Sequence, residues 1–258
     1  MMLKDSQAFF IDAHCHLDLY EGIMDAGELI KNAVSRGVGL IIANGVNPAS
    51  NRKVLSLANQ YPQVKAALGL YPIDALKYDD NEIDDKIKFI KNNKDNIVAI
   101  GEVGLDFKED LSNQARQKDI FNKIIKLSIE IDKPLIVHSR KAEKETIDLI
   151  EEAGATKVIM HCFSGKFSLA RRIISNKWAL TIPANIKSSE HFQKIVKEAP
   201  INSLLCETDS PYLHPDKKWP NEPSNVIESY KKIAEIKGLS LDEVKLKIYE
   251  NYRRLFGK

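Results

Sequence analysis

Two histidines near the start of the chain, His14 and His16, are the residues whose type and spacing most directly suggest chemistry. They follow the apolar run 9–13, which predicts a buried strand. Side chains alternate faces along a strand, so both imidazoles point one way and Cys15 points the other. With a rise of about 3.3 Å per residue, the two rings are close enough to bind one cation. A pair of structural histidines at a strand end is the alternative interpretation of this motif alone.

Other ligand-type side chains recur at the predicted carboxyl ends of strands, where barrel enzymes carry their active sites. Four of the six histidines of the chain lie at such positions, together with two or three carboxylates. Imidazole and carboxylate donors in this number suit one or two divalent cations. The candidate ligands are His14, His16, Glu102, His138, His161 and Asp209.

The charges of these residues suggest their roles. Glu102 has two oxygens with which it could bridge two ions, and two histidines would hold each ion. Asp209 could both bind an ion and accept a proton from the attacking water. Glu207 has the same strand parity as Asp209, so it faces inward as a catalytic residue or as a hydrogen-bond partner of one. Each residue also has a structural alternative. Glu102 would pair with a basic residue, Asp209 would cap a turn, and His138 and His161 would be core histidines.

Basic and hydroxyl side chains follow the same strands and are candidate substrate contacts. Arg140, with Lys141 or Lys166, is suited to binding a phosphate beside the ions. Ser164 is expected to support the site or to touch the substrate. A Ser–His–Asp mechanism using Ser139, Ser164 or Ser210 competes weakly, because none lies in a Gly-x-Ser-x-Gly motif and a triad needs only one histidine.

The elements that must position these residues are eight short apolar runs, most of them followed by an amphipathic stretch. Their near-continuous apolar character is typical of parallel strands covered by helices. Eight repeats favour a closed barrel over an open doubly wound sheet, and no glycine-rich phosphate loop follows the first strand. We predict an α/β fold, one (β/α)8 TIM barrel domain over residues 1–258 with an extra C-terminal helix. The predicted strands are 9–13, 38–43, 64–69, 97–102, 134–138, 157–161, 178–182 and 203–209.

Local signals predict several helix ends. Asn47 followed by Pro48 is typical of an N-cap with proline at the first helical position. Gly154 lies where a helix should stop. Ser240 and Glu243 fit a capping box that opens a last helix reaching about residue 255.

Composition limits the class of protein. The 258 residues carry a net charge of +2, which by itself gives no argument for a polyanionic partner. No apolar run is long enough to span a membrane, and the N-terminus lacks the apolar core of a signal peptide. The three cysteines, Cys15, Cys162 and Cys206, are too few for a disulfide framework and suit a reducing compartment. We therefore expect a cytoplasmic protein without membrane contact.

Taken together, these motifs resemble the TatD family of metal-dependent deoxyribonucleases, which are amidohydrolase-like barrels. The resemblance runs from about Ile11 to the C-terminus. It implies ligation by the six candidates above, phosphodiester hydrolysis on DNA, and two divalent ions, Mg2+ in function with Zn2+ or Mn2+ in related proteins. Glutamate in the fourth strand distinguishes this pattern from barrels with a carboxylated lysine. The motifs are residues 12–16, 101–106, 138–140, 161–165, 207–211 and 221–223.

Two positions depart from the family pattern, and both are expected on the substrate side. Tyr71 stands where relatives commonly have histidine, and Trp219-Pro220 stands where a basic residue is usual. A tyrosine or tryptophan there would stack on an unpaired base, which is worth about 1–3 kcal/mol. Packing within the loop is the alternative.

Three hypotheses for function follow. The leading one is a monomeric metal-dependent nuclease that cleaves phosphodiester bonds at the ends of single-stranded DNA and needs no obligate protein partner. The second is an ester or amide hydrolase on the same ions, such as a D-aminoacyl-tRNA deacylase. The third is a metal-stabilised scaffold that binds nucleic acid without catalysis, which the complete ligand set and an acidic proton acceptor argue against.

Overall fold

The protein is described by a computed structural model covering residues 9–257. Strands and helices alternate along most of the chain. The strands are β1 Phe10–Cys15, β2 Val38–Asn44, β3 Val64–Leu68, β4 Ile97–Asp106, β5 Leu135–Arg140, β6 Val158–Met160, β7 Ala179–Pro183 and β8 Leu204–Glu207. The helices are α1 Ala26–Ser35, α2 Pro48–Gln60, α3 Pro72–Ala75, α4 Asp80–Asn92, α5 Gln114–Glu130, α6 Glu143–Ala153, α7 Phe167–Ser175, α8 Glu190–Glu198, α9 Ile227–Lys237 and α10 Leu241–Phe256. Short 3-10 helices lie at Leu17–Tyr20, Ala184–Lys187, Ile201–Ser203 and Pro223–Val226.

The eight strands belong to one sheet whose strand order follows the chain from β1 to β8, the order of a (β/α)8 barrel. By internal contacts the chain divides into two compact units. The first unit runs to Ile42 and resumes at Ile182, and the second unit is Ala43–Thr181. The prediction of a single domain stays a prediction.

In the second unit, β3 to β7 pair in parallel with their neighbours. The register of β4 on β5 places Gly104 opposite His138 and Asp106 opposite Arg140. Nearly every side chain of these strands is buried, as expected for parallel strands covered on both faces. β4 continues to Asp106, four residues beyond the predicted end at Glu102, so Glu102 lies inside this strand.

In the first unit, β1 and β8 are joined by backbone hydrogen bonds at their carboxyl ends. The Asp209 N–H donates to the His14 carbonyl at 3.0 Å, and the His16 N–H donates to the Ser210 carbonyl at 2.8 Å. Nearer the start of β1, the Tyr230 hydroxyl of α9 accepts from the Ile11 N–H at 2.9 Å. These bonds fix the strand that carries the two histidines between its neighbours.

The predicted helix ends are confirmed. Asn47 caps α2 by accepting from the N–H groups of residues 49 and 50, with Pro48 at the first position. Gly154 ends α6 in the left-handed conformation at φ +76°. Ser240 and Glu243 form the capping box of α10, which is the helix additional to the barrel repeats. Within residues 9–257, no helix has both the length and the apolarity needed to cross a bilayer.

Candidate metal centre

Three ligand-type side chains of the first unit converge, and we call them the first triad. His14 lies in β1, His16 follows it, and Asp209 comes two residues after β8. The Nε2 atoms of the two histidines are 3.2 Å apart, and each is 3.5 Å from Asp209 Oδ1. Both histidines are buried, whereas the Asp209 side chain is 16% exposed. Alternation along β1 therefore places the two imidazoles on one face, with the Cys15 thiol turned to the Ile42 carbonyl.

Three side chains of the second unit converge in the same manner and form the second triad. Glu102 comes from β4, His138 from β5, and His161 directly follows β6. Glu102 Oε1 is 2.9 Å from His138 Nδ1 and 3.4 Å from His161 Nε2. Glu102 and His161 are buried, and the His138 side chain is 14% exposed. Each triad thus consists of one carboxylate oxygen and two imidazole nitrogens.

The donor atoms of both triads fit a divalent cation. With bonds of about 2.1 Å from metal to ligand, neighbouring ligand atoms are roughly 3.0 Å apart in octahedral and 3.4 Å apart in tetrahedral geometry. The separations of 3.2 and 3.5 Å in the first triad and of 2.9 and 3.4 Å in the second lie close to these values. By chemical type, the imidazole donors suit Zn2+, and the carboxylate donors suit Mg2+ or Mn2+.

A buried carboxylate behind the second triad, Asp106, orients its histidine. Asp106 Oδ2 is 3.0 Å from His138 Nε2 and accepts from the Tyr71 hydroxyl at 2.8 Å. Its Oδ1 accepts from the N–H groups of Lys108 and Glu109 at 2.9 and 3.0 Å. Metal-binding histidines commonly use the second ring nitrogen in this way, which fixes the ring and its tautomer. His138 therefore presents Nδ1 to the triad.

These contacts shift the ionisation of both partners. Burial raises the pKa of Asp106, but the hydrogen bonds from His138, the Glu109 N–H and Tyr71 outweigh burial and bring it to about 2. Burial lowers the pKa of His138, but its hydrogen bonds to Asp106 and Glu102 raise the pKa above 6.5. A cation at the second triad must therefore compete with a proton for His138.

A second buried carboxylate, Asp12, holds the chain segment that carries Asp209. Asp12 accepts from the Thr208 N–H at 2.9 Å and from the Thr208 hydroxyl at 2.6 Å. From the opposite side, the Asn221 amide donates to the Thr208 carbonyl at 3.0 Å. Asp209 itself has a left-handed backbone at φ +52°, a conformation that aspartate adopts more readily than most residues other than glycine. The position of Asp209 is thus imposed by its neighbours.

Glu207, the other predicted catalytic carboxylate, is the last residue of β8 and is completely buried. One of its oxygens lies within 4.8 Å of a ring nitrogen of His14. Glu207 therefore faces the side of β8 that carries the first triad, in agreement with its strand parity.

The predicted substrate contacts lie in or after strands of the second unit. Arg140 ends β5, with Nη1 3.5 Å from Glu109 Oε1 and 3.9 Å from Asp106 Oδ2. Ser164 and Lys166 lie in the exposed loop between His161 and α7. In the described part of the chain, no side-chain hydrogen bond joins Ser139, Ser164 or Ser210 to a histidine, so the geometry offers no serine nucleophile activated by a histidine.

The roles of Asp106 and Asp12 were missed in the sequence, although both residues lie in the motifs noted there. A signal existed for Asp12, which is two residues before His14 and shares its strand face. Asp106 closes the same segment as Glu102, but its contact to His138 depends on the register between β4 and β5. Tyr71 had been noted as a departure from the family pattern and as a candidate for stacking on a base, and the structure shows its hydroxyl donating to Asp106.

Comparison with known proteins agrees with this geometry. The family model described as TatD related DNase matches residues 11–257. Deoxyribonuclease TATDN3 of Homo sapiens is 34% identical over 96% of this chain and 94% of that protein. An uncharacterized metal-dependent hydrolase of Methanocaldococcus jannaschii is 35% identical over 96% of this chain and 97% of that protein. The crystal structure of YJJV, a TatD homolog from Escherichia coli, matches with a TM-score of 0.89 and 27% identity, covering 96% of this chain and 98% of that chain.

The protein is therefore a metal-dependent hydrolase with a (β/α)8 barrel fold. More specifically, the chain belongs to the TatD-related DNase family, because the family model covers nearly all of it. The fold and the family predicted from the motifs are both confirmed. The roles of the individual site residues stay predictions.

Proposed function

We propose that the protein is a deoxyribonuclease that hydrolyses phosphodiester bonds at the ends of single-stranded DNA, using two divalent ions. The observation that carries the proposal is the pair of matching triads, each with one carboxylate oxygen within 3.5 Å of two imidazole nitrogens. In a barrel of this class, the carboxyl ends of the strands build one active site. The human relative is named a deoxyribonuclease, which supports DNA as the substrate.

In this proposal the first triad and the second triad would each hold one divalent ion. Mg2+ is the proposed physiological ion, with Zn2+ and Mn2+ as substitutes. Two ions at such a centre acidify water and offset the charge that develops on phosphate oxygens. The imidazoles supply neutral donors, so the bound ions keep much of their positive charge for the phosphate.

Asp209 is the proposed proton acceptor for the attacking water. It is the most exposed carboxylate of the two triads, and its Oδ1 lies between the two imidazoles of the first triad. Glu207 is buried beside His14 and orients the same region. Arg140, Lys166 and Ser164 are the proposed contacts to substrate phosphates, because two of them are cationic and all three lie at or after the ends of strands that carry ligands.

We also propose that the enzyme works as a cytoplasmic monomer. All three cysteines, Cys15, Cys162 and Cys206, are free, which suits a reducing compartment. Size-exclusion chromatography with light scattering measures the mass in solution, and a stable dimer would contradict the monomer.

The test of function is an activity panel on metal-stripped protein reloaded with Mg2+, Mn2+ or Zn2+. We expect end-labelled single-stranded DNA to be cleaved and Asp209→Asn to lower kcat by about 100-fold or more, because it removes the proton acceptor. Asp242→Asn is the matched control, since this carboxylate is exposed on α10 and forms an ion pair with Lys245, away from both triads. Its activity should equal that of the wild type.

The same panel separates the alternatives. Faster turnover of D-aminoacyl esters than of DNA with the same ion would replace the nuclease by a deacylase. Thermal stabilisation by ions without hydrolysis of either substrate would leave a metal-binding scaffold. Full activity of Asp209→Asn would remove this residue from the mechanism.

A further inference from the structure

Two exposed aromatic side chains lie in the segment that connects β8 to the 3-10 helix Pro223–Val226. Tyr212 is 48% exposed and Trp219 is 60% exposed. Their ring centroids are 5.7 Å apart and the ring planes are tilted by 49°. The Tyr212 ring is in turn 6.5 Å from the imidazole of His16. An aromatic surface therefore begins beside the first triad and extends into solvent.

The exposure of these rings argues against a packing role. Trp178, the other tryptophan of the chain, is 2% exposed, as expected for a side chain that stabilises the fold by burial. Packing within the loop, the alternative role for Trp219, would require burial that this side chain lacks. Large apolar groups that are exposed side by side are typical of ligand-binding surfaces.

The charges around Trp219 indicate the chemistry of that ligand. Lys217 and Lys218 directly precede it and are exposed, and no carboxylate among residues 9–257 lies within ion-pairing distance of either ammonium group. The neighbouring acid, Asp216, is already paired with Lys187 at 2.7 Å. Aromatic rings interleaved with cations are the usual combination for binding a single-stranded nucleic acid, in which bases stack and phosphates pair with cations.

We infer that Tyr212 and Trp219 form a stacking platform for an unpaired nucleobase of the substrate strand, with Lys217 and Lys218 contacting its phosphates. This inference rests on the proposed function and deepens it, since it names the subsite that recognises the substrate. A base inside a duplex is already stacked on both faces, so only an unpaired base can occupy the platform. The platform thus gives a physical reason for preferring single strands.

Binding is tested on metal-free protein, in which no cleavage interferes. The probe is a fluorescently labelled oligothymidylate of about six nucleotides, within the site size of such surfaces. Trp219→Ala should weaken its affinity by about 5- to 150-fold, measured by fluorescence anisotropy. Wild-type tryptophan emission should also be quenched on binding, because Trp219 is exposed and Trp178 is buried, and the quenching should disappear in the variant.

An oligonucleotide with abasic sites separates stacking from charge. Wild-type protein should bind it more weakly than oligothymidylate, and this difference should be smaller in Trp219→Ala, which retains only the Tyr212 ring of the platform. Leu111→Ala is the matched control, because Leu111 is a 70% exposed apolar residue of the second unit. Its affinity for oligothymidylate should stay within roughly twofold of wild type. The melting temperature of each variant checks that folding is intact.

The platform would be overturned by equal wild-type affinity for the normal and abasic strands, or by unchanged affinity in Trp219→Ala. A change in Trp219 emission with protein concentration and not with DNA would assign the rings to self-association and also overturn it. The proposed function fails separately. If the protein binds normal strands more tightly than abasic strands but the reloaded enzyme does not cleave DNA, the nuclease proposal is contradicted and the platform is supported. If the reloaded enzyme cleaves DNA but binds both strands equally, the platform is contradicted and the nuclease proposal is supported.

Discussion

Replacing Asp106 by asparagine tests whether this buried carboxylate orients a metal-binding histidine. Four donors surround Asp106, two on each oxygen: the Lys108 and Glu109 N–H groups on Oδ1, and the Tyr71 hydroxyl and His138 Nε2 on Oδ2. An amide has one accepting oxygen, so in either orientation its NH2 group faces two donors. Asparagine therefore removes a charge and also loses two hydrogen bonds at a position without solvent.

The expected magnitudes follow from these contacts. Each buried donor left without an acceptor costs about 1–3 kcal/mol in the free energy of unfolding, so two such donors cost about 2–6 kcal/mol. Loss of the group that orients a metal-binding histidine typically lowers metal affinity by about 10- to 100-fold, which is about 1.4–2.8 kcal/mol. Tyr71→Phe removes one donor and keeps the charge of Asp106, so its effect on metal affinity should be smaller than that of Asp106→Asn.

The assay is a metal titration of stripped protein in competition with a chromogenic chelator, followed by urea unfolding of the same samples. The titration should show one weakened site in Asp106→Asn, because the first triad does not depend on this carboxylate. Asp110→Asn is the matched control, since Asp110 accepts backbone hydrogen bonds in the next turn without touching a histidine. Unchanged affinity at both sites in a folded Asp106→Asn variant would refute the orienting role, as would equal weakening of both sites.

Two further predictions concern the first triad and the ions. Thr208→Val removes the 2.6 Å hydrogen bond from the Thr208 hydroxyl to Asp12, and urea unfolding should show a free energy of unfolding lower by about 1.5–3 kcal/mol. Because Asp209 directly follows Thr208, kcat should also fall, and an unchanged kcat would contradict this prediction. Adding Mn2+ at 100 times its dissociation constant should stabilise the folded state by about 2.7 kcal/mol for each occupied site. The stabilisation should appear as a higher melting temperature that a chelator reverses, and an unaltered melting temperature would argue against a preformed site.

The fold could be predicted from the sequence because the local patterns of strands, helices and caps are those that a (β/α)8 barrel requires. Strand–helix alternation predicts parallel strands, and the caps at Asn47 and Ser240 are chemical signals within a few residues. Strand ends were less accessible. β4 was predicted to stop at Glu102, but the strand continues to Asp106. The structure instead uses Gly104 for close approach, since a Cβ there would lie 2.0 Å from the His138 carbonyl oxygen.

The candidate ligands were accessible for a related reason. Alternation along β1 places His14 and His16 on one face, and this relation needs no tertiary information. Recognising the orienting carboxylates would have required tertiary information. Whether an aspartate caps a turn, pairs with a base or accepts from a histidine depends on which strand lies opposite it. For Asp106 that partner is set by the β4–β5 register, which the sequence does not encode in any short motif.

The two triads have the same types of donor atom, but different buried carboxylates hold them in place. Mutations of these carboxylates should therefore separate effects on metal binding from effects on catalysis. Asp106 touches the ring of His138, so perturbing it changes how well a ligand atom is presented and hence the affinity for the ion. Asp12 instead holds Thr208, the residue before Asp209, and its loss displaces the proposed proton acceptor. Changes at Asp106 should therefore appear mainly in metal binding, whereas changes at Asp12 or Thr208 should appear mainly in kcat with the ions saturating.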